Sequence, residues 1–208
     1  MTDDQKFRKL ARPIIIAVYG PTCAGKTTIC DAIVSRCKTF VQKLITTTTR
    51  VPRPNEKDGV DYNFVSEGEF LKHKDRYILK TEFCGNRYGL DKGSILKAYV
   101  NNCISILILD QQGIKELDAI SEKLNYKVFY VNITASLNVL QTRLANRNDT
   151  NAIIRLEHAR HEQIFDCDLK IVNDDYLETA KDKFLQFVKQ IIMLTPRVTY
   201  QPVSIITG

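Results

Sequence analysis

The chain contains 208 residues, with 30 Lys and Arg against 24 Asp and Glu, which gives a net charge of +6. This length predicts a single domain spanning 1–208 with one substantial core, and it argues against two independent domains. The basic residues form no run of four or more and no repeat with aromatic residues, so we expect no nucleic-acid partner.

The N-terminal residues and the cysteines indicate the compartment. The first thirteen residues are rich in charge and contain no apolar core of a signal peptide, and no apolar stretch is long enough to span a bilayer. The 6 cysteines include no C-x-x-C pair, and the histidines offer no convincing metal triad. We therefore expect a cytoplasmic protein with no membrane partner and no zinc site.

Apolar, β-branched runs alternate with helical patterns along the chain. The predicted elements are strand 14–19, helix 26–38, strands 41–46 and 77–83, helix 94–101, strand 103–109, helix 113–124, strand 127–133, helices 136–146 and 153–165, strand 169–172 and helix 176–193. This alternation predicts an α/β fold in which helices cover both faces of a parallel sheet.

Residues 47–92 break the alternation with prolines, glycines and aromatic residues. We expect a small mixed insertion here, between core segments at about 13–46 and 93–194. Ser66 and Glu69 form a capping-box pattern that predicts a short helix within it. The segment 195–208 contains two prolines and no helical period, so we expect an extended or disordered C-terminal extension.

The residues Gly20-Pro-Thr-Cys-Ala-Gly-Lys-Thr27 fit the phosphate-binding pattern G-x-x-x-x-G-K-[ST] between a predicted strand and a predicted helix. In such a loop, backbone N–H groups and the helix N-terminus face bound phosphate oxygens. Lys26 would reach the β- and γ-phosphates, and the Thr27 hydroxyl would bind Mg²⁺. The motif therefore predicts a nucleoside triphosphate site.

Two arginines indicate a second phosphate site. Arg50 and Arg53 lie three residues apart in a turn stiffened by proline, and guanidinium groups bind tetrahedral oxyanions through paired hydrogen bonds. Two phosphate sites in one chain imply a donor nucleotide and a phosphorylated acceptor, which is the arrangement of a phosphotransferase.

Three further arginines and one aspartate could complete this site. Arg143 and Arg147 are four residues apart in a helical pattern, and Arg155 follows a polar break, so a hinged pair of helices could bring three guanidinium groups over a transferring phosphoryl group. Asp110 follows an apolar strand. It could orient Mg²⁺ through water, contact the acceptor, or cap the next helix.

Several linked segments together resemble the guanylate kinase family. They are Gly20 to Thr28, Thr49-Arg-x-Pro-Arg53, Asp58-Gly-Val-Asp-Tyr-Asn-Phe-Val65, Phe83-Cys-Gly-Asn-x-Tyr-Gly89, Asp110-x-Gln-Gly113 and Val172-Asn-Asp-Asp175. The resemblance covers about residues 14 to 190. It implies a P-loop core with a nucleoside-monophosphate-binding insertion at about 47–92, a mobile lid at about 143–160, ATP as phosphoryl donor and Mg²⁺ as cofactor.

The resemblance also implies roles for individual residues. The ATP-binding set would be Gly20, Pro21, Thr22, Cys23, Ala24, Gly25, Lys26, Thr27, Thr28 and Asn173, with Asn173 against the adenine. The acceptor-binding set would be Thr46, Arg50, Arg53, Tyr62, Glu82, Tyr88, Gly89 and Asp110, with the two arginines and two tyrosines on the phosphate. Lys26, Arg143, Arg147 and Arg155 would be the catalytic cations.

Three positions depart from the family pattern for reading guanine. Leu79, Leu90 and Ile108 stand where polar residues are usual. Glu82 or an aspartate could take over guanine recognition, or the acceptor could be another nucleotide (modified-base, pyrimidine or deoxy) or ribose 1,5-bisphosphate. A non-catalytic interaction domain of this type is disfavoured by the intact Lys26. Our first expectation is a monomeric or homodimeric kinase that converts GMP or dGMP to the diphosphate.

Overall fold

The computed structural model describes residues 8–146, 151–161, 165–195 and 197–199. Its strands are β1 (Arg8–Leu10), β2 (Ile14–Tyr19), β3 (Val41–Lys43), β4 (Thr47–Thr48), β5 (Asn63–Phe64), β6 (Tyr77–Phe83), β7 (Asn86–Asp91), β8 (Ile104–Ile108), β9 (Lys127–Thr134), β10 (Leu169–Val172) and β11 (Arg197–Thr199). Its helices are α1 (Lys26–Arg36), α2 (Glu67–Lys72), α3 (Lys92–Val100), α4 (Gln111–Ser121), α5 (Leu137–Ala145), α6 (Ala152–Arg160) and α7 (Leu177–Leu194), with a 3₁₀ turn at Lys74–Arg76.

A five-stranded parallel sheet forms the core, in the order β10-β9-β2-β8-β3. All six residues of β2 are buried, because parallel sheets of this kind are covered on both faces and their central strands can be apolar throughout. The predicted α/β fold with a parallel sheet and flanking helices is confirmed.

The two faces of the sheet contact different helices. Ile14, Ile16 and Val18 of β2 belong to a buried cluster that includes residues of α1 and α7, with Phe184 of α7 fully buried. The alternate residues of β2 belong to a second cluster that includes residues of α3 and α4. Both faces therefore bury apolar side chains, which is the main source of stability in such a layered fold.

The insertion forms a separate four-stranded sheet in the order β5-β4-β7-β6. Cys84 and Gly85 join β6 to β7 with φ values of 50° and 70°, as expected for a two-residue hairpin turn. The predicted capping box is confirmed: the Ser66 hydroxyl accepts from the Glu69 N–H at the start of α2. The strands β4 and β5 were not predicted, because two-residue strands carry too little periodicity to detect. The six-residue strand β7 was not predicted either; its sequence is polar and contains Gly89.

Several predicted boundaries are wrong. The helix predicted at 26–38 ends at Arg36 and the strand predicted at 41–46 ends at Lys43, where the chain leaves the sheet for the insertion. The helix predicted at 153–165 ends at Arg160. A run of helix-compatible or apolar residues does not by itself show where backbone pairing stops.

The C-terminal extension contains a strand that the sequence did not predict. Within it β11 pairs with β1 in antiparallel register, with Arg8 opposite Thr199 and Leu10 opposite Arg197. Leu10 is buried in the core, and its N–H donates to the Asn102 Oδ1 at 2.7 Å. This contact anchors the two-stranded sheet to the domain. Among the residues that the structure describes, no helix is both long and apolar enough to cross a bilayer.

Candidate functional site

A cavity of about 1200 Å³ lies at the carboxyl ends of the parallel strands, where α/β sheets bind ligands. The loop after β2 and the start of α1 form one wall, and the insertion forms the facing wall. The predicted site residues that line it are Gly20, Pro21, Thr22, Cys23, Gly25, Lys26, Thr27, Thr28, Thr46, Arg50, Arg53, Tyr62, Glu82, Tyr88, Asp110, Arg143, Arg155 and Asn173. Typical small-molecule sites occupy about 300–1,000 Å³, so the cavity is large enough for more than one phosphorylated ligand.

The loop between β2 and α1 has a backbone that requires glycine. Gly20 has a φ of 136°, and a Cβ there would lie 1.9 Å from the Ile133 carbonyl oxygen. Gly25 has a φ of 94°, and a Cβ there would lie 2.5 Å from Asn173 Nδ2. The Lys26 ammonium donates to the carbonyl oxygens of Gly20 at 2.5 Å and Pro21 at 2.8 Å. The ammonium therefore lies over the loop that would hold phosphates.

Asn173 follows β10 and supports the same loop. Its Nδ2 donates to the Ala24 carbonyl at 2.8 Å, and only 3% of the residue is exposed. Its buried Oδ1 has no hydrogen-bond partner among the described residues. Ala24 itself is fully buried. Its backbone is therefore part of the loop's support, and the residue does not line the cavity.

On the facing wall, a single carboxylate binds both predicted arginines. Arg50 Nη2 donates to the two oxygens of Glu56 at 2.9 and 2.8 Å, and Arg53 Nη1 donates to Oε1 at 3.1 Å. Burial works against the Arg50 charge, but the contacts with Glu56 outweigh it and raise the pKa of Arg50. Burial also raises the pKa of Glu56, yet the Arg53 N–H and the two guanidinium groups bring that pKa below its ordinary value. Arg50 and Glu56 therefore remain charged at neutral pH.

Aromatic rings surround this charge cluster. The Arg50 guanidinium lies 5.3 Å from the ring centre of Tyr62 and 5.8 Å from that of Phe64. The rings of Tyr62 and Tyr88 are 6.0 Å apart, and burial raises the pKa of Tyr62. Gly89 does not line the cavity. It is buried, and a Cβ there would lie 2.6 Å from the Tyr77 ring, so the structure gives Gly89 a packing role.

Asp110 caps α4. Its Oδ1 accepts from the Gly113 N–H at 2.7 Å, which is the helix-capping alternative considered for this residue. It also lines the cavity and accepts a hydrogen bond from Thr81. Burial raises the pKa of Asp110, and the bonds from Gly113 and Thr81 only partly oppose this.

Two of the three unusual positions lie outside the cavity. Leu79 is 3% exposed and Leu90 is 1% exposed, and both belong to the buried cluster that includes residues of α3 and α4. Ile108 lines the cavity. Close to Leu79 in sequence, Thr81 and Glu82 of β6 do line the cavity.

The predicted lid arginines reach the phosphate-binding loop. Arg143 of α5 donates to the carbonyl oxygens of Cys23 at 3.3 Å and Asn173 at 2.9 Å. Arg155 of α6 is only 6% exposed and donates to the Thr22 hydroxyl at 3.4 Å. Arg147 lies outside the described residues. Both described arginines therefore face the loop expected to bind the donor nucleotide.

Sequence reasoning missed some residues at the site. Glu56 follows Arg53 by three residues, and a carboxylate so close in sequence to two arginines was a usable signal. Phe83 lies under the Arg155 guanidinium at 5.4 Å and contacts the His158 ring at 5.2 Å, which links the insertion to α6. No sequence signal marks that contact, since the residues are far apart in the chain.

The guanylate kinase family model matches residues 10–191. A guanylate kinase of Maricaulis maris is 34% identical over 177 residues, covering 82% of this chain and 80% of that protein. A guanylate kinase of Schizosaccharomyces pombe is 33% identical over 176 residues, covering 80% and 86%. The solved structure of guanylate kinase from Anaplasma phagocytophilum has the same fold, with a TM-score of 0.66, 24% identity and 92% coverage of each chain.

Proposed function

The chain belongs to the guanylate kinase family, and we propose that it transfers the γ-phosphoryl group of ATP to the phosphate of GMP or dGMP. Family membership makes it a nucleoside monophosphate kinase with ATP as donor. One observation carries the acceptor assignment: the glycine-rich loop with Lys26 and the pair Arg50 and Arg53 line one continuous cavity. Two phosphorylated ligands bound there would meet end to end.

On the donor side, the backbone N–H groups of the glycine-rich loop and the N-terminus of α1 bind the ATP phosphates. Lys26 stabilises negative charge on the transferring group, and Asn173 fixes the loop from behind through Ala24. The described residues contain no cluster of three or more potential metal ligands among His, Cys, Asp and Glu. The exposed Thr27 hydroxyl at the start of α1 nevertheless suits Mg²⁺, which takes few protein ligands and binds phosphate oxygens and water. Mg²⁺ would neutralise charge on the nucleotide phosphates.

On the acceptor side, Arg50, Arg53, Tyr62 and Tyr88 hold the phosphate that receives the phosphoryl group. The lid segment at about 143–160 supplies Arg143 and Arg155 at the donor loop. No covalent intermediate on the enzyme is needed, because alignment and preorganised positive charge lower the barrier.

The proposal also covers the domain organisation, the compartment, the partners and the assembly of the protein. The single domain comprises a core at about 13–46 and 93–194, the acceptor-binding insertion at about 47–92 and the lid. The enzyme acts in the cytoplasm on small-molecule nucleotides, without a nucleic-acid or membrane partner, as a monomer or homodimer.

A second candidate acceptor is another nucleoside monophosphate. It is favoured by the burial of Leu79 and Leu90 in the core, because these two positions then offer the base no polar group, and loss of a hydrogen bond to a base edge changes which base is selected. The phosphate contacts are the same for every candidate of this class. The base contacts alone decide between them.

A panel assay tests both candidates. ADP formation is measured with MgATP and each common ribo- and deoxynucleoside monophosphate, and with ribose 1,5-bisphosphate. Fastest turnover of GMP or dGMP supports the main proposal, and a strong preference for another nucleotide supports the second. Binding of MgATP without turnover of any acceptor would reject both.

The acceptor site is tested by Arg53→Ala in the same assay. We expect a much larger rise in KM for the acceptor than for ATP, because the substitution removes a guanidinium from the acceptor wall only. An equal rise in both KM values would contradict the assignment of this wall.

A further inference from the structure

Glu56 lies in the acceptor wall, and all four hydrogen bonds to its carboxylate from described residues come from Arg50 and Arg53. We propose that Glu56 is a positioning residue that holds these two guanidinium groups in the orientation in which they bind the acceptor phosphate. The inference rests on the proposed function of that wall. It adds a residue that makes no contact with substrate but determines how well substrate binds.

The geometry gives Glu56 control of both arginines at once. Its Oε2 accepts from Arg50 Nη2 at 2.8 Å and from the Arg53 main-chain N–H at 2.9 Å, and its Oε1 accepts from Arg50 Nη2 and Arg53 Nη1. The Glu56 N–H in turn donates to the Arg53 carbonyl at 3.0 Å. The carboxylate is thus fixed by the same tight turn that carries Arg53.

Partial burial strengthens these contacts and fixes the orientation of the Arg50 guanidinium. The side chains of Arg50, Arg53 and Glu56 are 10%, 26% and 14% exposed, so solvent screens them less than it screens a surface pair. Arg50 is also fixed by its Nη1 donation to the Val51 carbonyl at 2.9 Å and by the ring of Tyr62. Nη1 and Nη2 are therefore engaged, and none of these contacts uses Nε. The ligand meets a guanidinium whose plane is already set.

The charge balance supports the same role. Two guanidinium groups close together repel each other, and repulsion would separate them when no phosphate is bound. One carboxylate between them removes that repulsion and leaves a net positive charge for a phosphate dianion. Glu56 thereby lowers the entropy cost of ordering the two arginine side chains when the acceptor phosphate binds.

The contacts also argue against a general structural role. The Glu56 carboxylate bonds to Arg50 and Arg53, and none of its hydrogen bonds to described residues reaches a core helix or strand. Glu67 of α2 provides a matched comparison, because it belongs to the same insertion and pairs with Arg87 at 2.6 Å on the surface.

The experiment compares Glu56→Gln, Glu56→Asp and Glu67→Gln in steady-state kinetics, with each substrate varied in turn. We expect Glu56→Gln to raise the acceptor KM by about tenfold to a hundredfold, the range for losing hydrogen bonds between charged groups, with the ATP KM changed by less than about twofold. Glu56→Asp keeps the charge with a shorter reach, so its acceptor KM should lie between the wild type and Glu56→Gln. Glu67→Gln should leave both KM values unchanged.

Three results would overturn the inference. The first is an unchanged acceptor KM in Glu56→Gln. The second is a lower acceptor KM, which would show that the carboxylate competes with the phosphate. The third is an equal rise in both KM values, which would show a general loss of structure. If Glu56→Gln does not fold, titration calorimetry is used to measure how tightly Glu56→Asp binds the acceptor. An affinity equal to that of the wild type would then contradict the proposal.

Arg53→Ala, run beside these variants, separates this inference from the proposed function. A normal acceptor KM in Arg53→Ala would mean that the acceptor wall itself is wrongly assigned. A raised acceptor KM in Arg53→Ala together with a normal one in Glu56→Gln would reject only the role of Glu56.

Discussion

Gly20→Ala should destabilise the fold severely, although it adds a single methyl group. Gly20 has a φ of 136°, and its new Cβ would lie 1.9 Å from the Ile133 carbonyl oxygen and 2.9 Å from the carbonyl carbon. Both are backbone atoms of β9, which is paired on both sides within the central sheet. The strand cannot move away without disturbing its neighbours.

The magnitude follows from two contributions. Holding alanine in this backbone conformation costs about 1–3 kcal/mol. Overpacking adds about 1–3 kcal/mol, and here it lies near the upper end, because the contact must lengthen by about 1 Å to reach the shortest real Cβ separation of 3.0 Å. We expect a loss of at least about 3 kcal/mol in the free energy of unfolding, more than a hundredfold in the folding equilibrium.

Gly59→Ala is the matched control. Gly59 has a φ of 72°, and a Cβ there would meet nothing within 4 Å, so only the backbone cost of about 1–2 kcal/mol remains. Urea unfolding followed by circular dichroism measures both variants against the wild type. If Gly20→Ala is no less stable than Gly59→Ala, the close approach of the loop to β9 is not what requires glycine.

Three further predictions concern activity and stability. Lys26→Ala should lower kcat by about a hundredfold or more while circular dichroism shows an intact fold, and near-normal turnover would reject its role. Asp110→Asn should keep the α4 cap, because Asn caps as well as Asp. Since burial raises the pKa of Asp110, the native carboxylate lowers stability at neutral pH and stops doing so as it protonates at lower pH. The variant should therefore be at least as stable as the wild type at pH 7, with the difference shrinking towards pH 4 in urea unfolding; a clear loss at pH 7 would refute this. Phe184→Ala, which empties a fully buried position, should cost about 3–5 kcal/mol in the same measurement, and a cost below about 1 kcal/mol would contradict its place in the core.

The central sheet could be predicted because its strands are continuous apolar runs between helical patterns. The six residues of β2 read as a buried strand, and the glycine-rich loop after it fixes where α1 begins. The insertion was harder. Strands of two residues, such as Thr47–Thr48 and Asn63–Phe64, form through pairing with distant partners, which local sequence does not encode.

Much of the candidate site was predictable for a different reason. The glycine-rich loop and the pair Arg50 and Arg53 carry their chemistry within a few residues of sequence. The contacts that join separate segments were not predictable. Asn173, which follows the edge strand β10, reaches Ala24, and Phe83 meets Arg155 across the cavity. Such contacts depend on the completed fold.

The pairing of β1 with β11 brings the first and last described strands side by side. The described chain from Arg8 to Thr199 therefore starts and finishes at the same place, and a short peptide linking Thr199 to Arg8 could make a circular permutant with new ends at an exposed loop. For the same reason, two fluorophores attached at positions 8 and 199 would report efficient energy transfer in the native state. They would lose it as soon as the small terminal sheet separates.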